Sequence, residues 1–540
     1  MTALALSLCA LVSAATPSSL PSSTASAVPS TATDVSRVVV IVGYNGGAPD
    51  PRPALHYADD DAARLFLQLA PGAERAWLLT TFDKETARLY PELSDVARPP
   101  SKEALAGALG EAFWQVRRDH ARGRATELIF AFAGHGDVDD GGRGFVVMAD
   151  GPFTRDDLRQ QVIAASPADL NHIIVDACSS YFMVNSRGGV GTDTPGVPLT
   201  PALLDVLQPG GDDALPPALA AKTGVLVSTS SAQEVHESSS LSAGVFSYLL
   251  RSALTGVADV DGDGRVEYGE TAAFLASASA SLDDPRARLS VYAEPPLQRP
   301  HAPLMDLPRS GASAFLAIDE RGPVHLRLLD PRGAPYAEVH AATSAGAPSY
   351  VALMGQPFFL VQRDRQEAVL VPRAAGAYAL SSLDFHDSSA ARGADDQADS
   401  AGPWAKLFAR PFAPSFADGF MTSAALPPPA GGARFSPSWA EAGAPPLTLP
   451  VGVIGGVTLG AAAAAGAAAV TATVMNQLAF ASLEATFQQT GQLDRAQSLE
   501  VEGWRTAATS MTLAATTLGL VGGGLVLWSL SLEDGEVALP

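Results

Sequence analysis

His172-Ile173-Ile174-Val175-Asp176-Ala177-Cys178-Ser179-Ser180 decides how the rest of this chain is read. A run of β-branched apolar residues is the pattern of a strand buried on both faces. The run stops at a cysteine followed by small polar residues. A thiol at the carboxyl end of such a strand sits where open α/β sheets place their chemistry. Glu127-Leu128-Ile129-Phe130-Ala131-Phe132-Ala133-Gly134-His135-Gly136 repeats the form, with an apolar strand ending in a histidine between glycines. Of the 2 cysteines, Cys9 falls in an export-type segment, so Cys178 is in effect the sole thiol and His135 its natural partner.

Working outward, strand and helix patterns alternate from residue 36 to about 284, which predicts an α/β fold with a mostly parallel central sheet. Val38–Val42 reads as a strand ending at Gly43-Tyr44-Asn45. Tyr57–Leu69 has helical spacing, and Asp59, Asp60 and Asp61 favour its N-terminus. Ser101 caps a helix running to about His120. Thr154 and Asp157 form a capping-box pattern ahead of another helix. Gly224–Ser230 is a strand and Gly244–Leu254 a helix. Residues 185–222 make a long Gly/Pro/Asp-rich loop.

From 303 to 386 the pattern changes to short alternating strands with turn residues between them, which predicts a separate β-sandwich-like domain. Residues 387–449 read as linker, being first acidic and small, then Pro/Ala/Gly-rich. Residues 450–532 carry two uncharged stretches, Val451–Val474 and 506–532, and read as a hairpin of two membrane-spanning helices. A buried soluble hairpin is the alternative that the many alanines leave open. Residues 1–15 read as a signal peptide lacking the usual basic start, or as a misassigned start, and 16–35 as a flexible leader. The 484–505 loop carries Arg495 and Arg505 against four acids and the tail is acidic, which together with the signal favours a bacterial inner membrane with the peptidase region extracytoplasmic.

The net charge is −22, which argues against a nucleic-acid partner, because phosphate binding wants a basic face. With one cysteine left after signal removal, no intramolecular disulfide framework is possible.

A cysteine peptidase needs a thiolate, a proton-handling base and donors for the oxyanion. Cys178 supplies the first and His135 the second, histidine being the side chain that titrates near neutrality. The backbone N–H groups of Gly136 and Cys178 are the candidate oxyanion donors. No third catalytic member is evident. The chemistry requires no cofactor.

Ala133-Gly134-His135-Gly136 and Val175-Asp176-Ala177-Cys178-Ser179 resemble the His and Cys motifs of the caspase-like cysteine peptidases, nearest to bacterial caspase-family and metacaspase-type members. Gly43-Tyr44-Asn45 with Ala58-Asp59-Asp60-Asp61-Ala62 resembles the family's first strand and helix. Ser228–Glu234 and Gly244–Leu250 resemble its small-subunit strand and helix. The resemblance covers about residues 36–284 and implies a caspase-like three-layer fold. Ser179-Ser180-Tyr181 departs from the usual Cys-x-Ser-Gly, which bears on loop shape.

In metacaspase-type members an aspartate two residues before the nucleophile helps form an acidic S1 pocket, and Asp176 stands there. The resemblance thus implies cleavage after Arg or Lys; a carboxylate floor favours a cationic side chain. The alternative is that Asp176 caps backbone N–H groups. Residues 188–221 contain no Lys or Arg, so Arg187 and Lys222 at the two ends are candidate self-cleavage sites, or ordinary loop-end cations.

Residues 259–270, Asp-Val-Asp-Gly-Asp-Gly-Arg-Val-Glu-Tyr-Gly-Glu, fit an EF-hand calcium loop. Asp259, Asp261 and Asp263 are the first ligands, Arg265 offers its carbonyl, Glu267 acts through water and Glu270 is bidentate. An acidic inter-element turn is the alternative. Together these readings describe a membrane-tethered endopeptidase acting on a protein or peptide substrate, with possible Ca2+. The rival is a non-enzymatic membrane-anchored scaffold on the same fold.

Overall fold

The computed structural model describes residues 35–47, 52–139, 144–177, 215–228, 237–283, 288–289, 291–343, 348–387, 404, 406–440, 448–450 and 536–538. The signal and leader, Cys9, Cys178, Arg187 and the apolar stretches at 451–474 and 506–532 lie outside these residues. Among the described residues, no helix is long and apolar enough to cross a membrane.

The chain begins with β1 (Val35–Tyr44), α1 (Ala58–Leu69), β2 (Arg75–Thr80), β3 (Ala97–Arg98), α2 (Lys102–His120) and β4 (Ala125–Gly134). A small antiparallel sheet follows, made of β5 (Gly136–Val138), β6 (Gly144–Met148) and β7 (Gly151–Thr154). Then come β8 (Leu170–Asp176), β9 (Thr223–Ser228), α3 (Val245–Ser252), α4 (Tyr268–Ser279) and β10 (Val291–Glu294).

Seven strands form the main sheet in the order β10-β9-β8-β4-β1-β2-β3, parallel throughout except for β10, which joins β9 antiparallel. The sheet therefore draws its edge strand from beyond residue 284, where the α/β region was expected to end. Val291–Glu294 is four half-buried residues, too short and too weakly patterned to announce a strand.

The β-branched runs are explained by burial on both faces. Val38, Val40 and Val42 of β1 pack with Leu105, Leu109 and Phe113 of α2. Val39 and Ile41, pointing the other way, join α1, α3 and α4. The helix N-termini behave as their sequences ask. The Ser101 side chain accepts from the Ala104 N–H at 3.1 Å, and Thr154 and Asp157 close a full capping box.

Residues 314–387 carry two further sheets. One is ordered Ser349–Leu353, Ala314–Ile318, Gly376–Ala379. The other is ordered Pro335–Thr343, Gly322–Leu329, Phe359–Arg363, Gln366–Leu370, His386–Asp387. They do not stand apart from the α/β region. Tyr248 of α3 donates to Glu338 at 2.8 Å, Glu338 N–H donates to Ser252 at 3.1 Å, and Leu326, Val339 and Tyr350 share a core with α3 and α4. A separate domain was expected because strand periodicity reports local structure only.

The linker expected over 387–449 is folded in part. Phe408, tilted, and Phe412, edge-on, pack against Phe274 of α4, helix α5 (Pro414–Ser423) buries Ala417 and Met421, and Phe435 packs on Phe315 and Tyr350. Its apolar anchors have no regular period, so composition hid them. Residues 373–376 and 438–540 make a second unit, in which Thr448–Pro450 pairs antiparallel with Glu536–Ala538.

Candidate active site

The carboxyl ends of β1 and β4 mark where the chain's winding direction reverses, the crevice that open α/β sheets use for ligands. Both ends are shaped by glycine. Gly134 closes β4 at φ +153°, and a Cβ there would meet the Tyr44 carbonyl oxygen at 2.7 Å. Gly46, at φ +89°, lets the loop after β1 approach the His135 ring; a Cβ at Gly46 would lie 3.1 Å from its Cδ2.

His135 is 8% exposed, and its Nε2 lies 2.8 Å from the Pro53 carbonyl oxygen. A carbonyl only accepts, so Nε2 carries the hydrogen and the Nδ1 lone pair is left free as a base. The Pro53 carbonyl is thus the orienting partner that sequence reading did not find. It is a backbone group in a Pro/Gly-rich loop and leaves no side-chain signal. The Val147 N–H donates to the His135 carbonyl at 2.9 Å, which makes Gly136 and Val146 a non-hydrogen-bonded pair and turns the Gly136 N–H away from β6.

Asp176 ends β8, the strand beside β4, and is the register partner of Ala133. Ser247 Oγ of α3 donates to Asp176 Oδ2 at 2.6 Å. Burial nevertheless pushes the Asp176 carboxyl up to about 6, with the Glu237 carboxylate adding to the rise and the Ser247 bonds opposing it. Cys178, the other half of the expected pair, lies outside the described residues.

A second carboxyl belongs to this place. Asp59, Asp60 and Asp61 were expected to serve the helix dipole, yet all three are buried. Asp59 accepts from Asn45 and from the Asp83 N–H, and Asp60 accepts from Thr86. Asp61 Oδ2 accepts the Gly244 N–H at 2.7 Å, while its Oδ1 has no hydrogen-bond partner among the described residues. Burial pushes Asp61 well above the usual carboxylate range, and the Asp176 charge adds to this. The sequence signal was there: three consecutive acids at the start of an amphipathic helix cannot all face water. Asp61, Asp176 and Ser247 line a cavity of about 10 Å³ between α1, β8 and α3, room for about one water.

In the 259–270 loop, Asp259, Asp261 and Asp263 each bring a carboxylate oxygen within 4.8 Å of the others. Asp259 Oδ2 accepts the Gly264 N–H at 2.9 Å, which folds the loop around the acids. Burial and the two neighbouring acids push Asp259 up to about 7. Three clustered carboxylate oxygens are a hard-ligand set suited to Ca2+. Glu270 is not in the cluster. It caps α4, accepting from the Val260 N–H at 3.0 Å and the Glu267 N–H at 2.9 Å. Glu267 bonds His301 at 3.1 Å, and the Arg265 side chain lies 4.0 Å from Asp306. The strap at 430–435 closes over the loop, with Gly431 N–H donating to Asp261 and Phe435 N–H to the Gly262 carbonyl.

Lys222 stands at the opposite end of the sheet from His135. Its Nζ donates to the Ser166 carbonyl at 2.7 Å and the Ala168 carbonyl at 3.2 Å.

Among solved structures, the chain is similar to pro-sf-caspase-1, at 14% identity and a TM-score of 0.23, covering 40% of this chain and 69% of that one. It is also similar to a protein from Geobacter sulfurreducens, at 12% identity and a TM-score of 0.20, covering 36% and 72%. No protein-family description and no curated protein matches the chain.

Proposed function

We propose that this chain is a caspase-like cysteine endopeptidase that cleaves after Arg or Lys. One relationship carries the reading. Ala133 and Asp176 are partners on adjacent parallel strands, and His135 follows the first by two residues as Cys178 follows the second. Adjacent strands run about 4.8 Å apart, so these equal offsets from one register pair support a reading in which thiol and imidazole meet at the carboxyl end of the sheet.

In this reading the Cys178 thiolate attacks the scissile carbonyl carbon, and the Gly136 and Cys178 N–H groups hold the oxyanion. Protonated His135 gives its Nδ1 proton to the leaving amine. The free Nδ1 then draws a proton from water, which hydrolyses the thioester and restores the thiolate. Asp176 receives the cationic side chain.

Calcium held by Asp259, Asp261 and Asp263 is part of the proposal, with the Arg265 carbonyl and Glu270 completing the set on rearrangement. So are tethering through 450–532 to a membrane, an extracytoplasmic peptidase and self-cleavage at Arg187 or Lys222. Cutting at Lys222 requires it first to release Ser166 and Ala168.

The test uses purified full-length protein and peptides ending in Arg, Lys or Asp joined to a fluorophore, with and without Ca2+. Turnover of Arg or Lys peptides that disappears in Cys178→Ala and His135→Ala supports the enzyme. No turnover of any peptide favours the scaffold reading.

A further inference from the structure

The Pro53 carbonyl, 2.8 Å from His135 Nε2, can fix the ring only if the backbone that carries it is itself held. That backbone is held at two places. On one side the Leu55 N–H donates to the Asn45 carbonyl at 2.7 Å, and the Asn45 side chain bonds Asp59 at 2.8 Å. On the other side stands Glu237. Its carboxylate accepts the Tyr57 N–H at 2.8 Å and the His56 N–H at 3.0 and 3.1 Å.

The carboxylate sits where α1 needs an acceptor. Tyr57 holds the N-cap position of that helix and makes no side-chain cap bond. An acid brought in from 180 residues away supplies the negative charge that a helix N-terminus favours, and bonds from N–H groups to an ionised carboxylate are of the stronger kind. Glu237 is itself fixed, because it lies in a two-stranded ribbon and is the register partner of Gly244. Gly244 donates to Asp61, and Ser247, three residues on, donates to Asp176. One ribbon therefore holds both the backbone behind the histidine and the acids beside it.

We propose that Glu237 is a positioning residue for catalysis. By clamping the His56 and Tyr57 N–H groups it sets the Pro53 carbonyl, and through that carbonyl it keeps His135 in the Nε2–H tautomer with Nδ1 free. The role rests on His135 being the base of the proposed peptidase. A displacement of about 1 Å at a catalytic group lowers rates about 100-fold, so a clamp acting at one remove is enough to matter.

The test uses full-length protein carrying 15N-labelled histidine, with the His135 signal identified by its loss in His135→Gln. In wild type the neutral ring is the Nε2–H tautomer. In Glu237→Ala the Nδ1–H tautomer grows in, and kcat on Arg peptides falls about 10- to 100-fold. KM stays within about twofold, because the clamp is behind the base and not in the pocket. Glu237→Gln keeps the shape and one acceptor oxygen, shifts both readouts less and in the same direction, and decides the matter if Glu237→Ala does not fold. A His135 spectrum unchanged in these variants, or a loss confined to KM, overturns the proposal. A tautomer disturbed by Glu237→Ala in a chain that turns over no peptide leaves the clamp standing and removes the peptidase reading instead.

Discussion

Asp61 on α1 and Asp176 at the end of β8 converge on one glycine. A methyl group on Gly244 would stand 2.9 Å from Asp61 Oδ2 and 3.3 Å from Asp176 Oδ2. The two acids come from elements 115 residues apart in sequence (176 − 61), and the backbone of a third segment separates them.

The first prediction concerns that pair. Asp176→Asn keeps the shape and an acceptor for Ser247 but removes the charge. We expect kcat/KM on Arg peptides to fall about 10- to 100-fold, the worth of a hydrogen-bonded ion pair. Asp61→Asn, at a carboxyl that burial already holds well above the usual range, should leave the preference for Arg peptides unchanged. Steady-state kinetics on matched Arg and uncharged peptides check this, because only the Arg peptide should suffer.

The second is pH dependence. Asp176 and Asp60 stand at about 6 in the folded chain, against about 3.9 for an unfolded aspartate. A raised value means the folded state holds the proton more tightly. Their contribution to stability is therefore complete below about pH 3.9 and is lost as pH rises through 6. Activity on Arg peptides should run the other way, rising through pH 6 as Asp176 ionises. Asp176→Asn should flatten that limb and, at pH 7, raise the urea midpoint by the equivalent of about 1–3 kcal/mol.

Gly134→Ala tests the placement of His135. The left-handed backbone and the approach to the Tyr44 carbonyl leave no room for a Cβ. We expect a loss of about 1–3 kcal/mol in stability and a fall mainly in kcat, since the base moves while the substrate pocket stays. Chemical denaturation and kinetics on the same sample separate the two effects.

The calcium loop gives the fourth. At a Ca2+ concentration 100 times its Kd, the full chain should gain about 2.7 kcal/mol of apparent stability. Asp261→Asn and Asp263→Asn should abolish that gain, and Mg2+ should not reproduce it, because the smaller ion demands a stricter octahedron. Thermal denaturation with each ion reads this directly. Limited proteolysis should show the 430–435 strap protected by Ca2+ in wild type, because its Gly431 N–H bonds Asp261.

Much of the frame was legible. The β1, β4 and β8 runs are unbroken because both faces are buried, and each announced itself without help from the rest of the chain. The caps at Ser101 and Thr154 were visible for the same reason: donor and acceptor lie three residues apart. Strand Val291–Glu294, the folded strap and the burial of the Asp59–Asp61 run were not visible. Each depends on a surface that a distant part of the chain provides.

The amino-acid order by itself determined which segments are strands and helices, and that a histidine and a cysteine each follow the end of a strand. Those are local matters of periodicity, capping and glycine conformation. Only the tertiary structure decided that the Pro53 carbonyl, 82 residues away, orients His135, and that Asp61 reaches Gly244 across 183 residues. Backbone carbonyls and N–H groups are the same at every position, so no sequence pattern marks which of them will meet a side chain. Packing alone makes that choice.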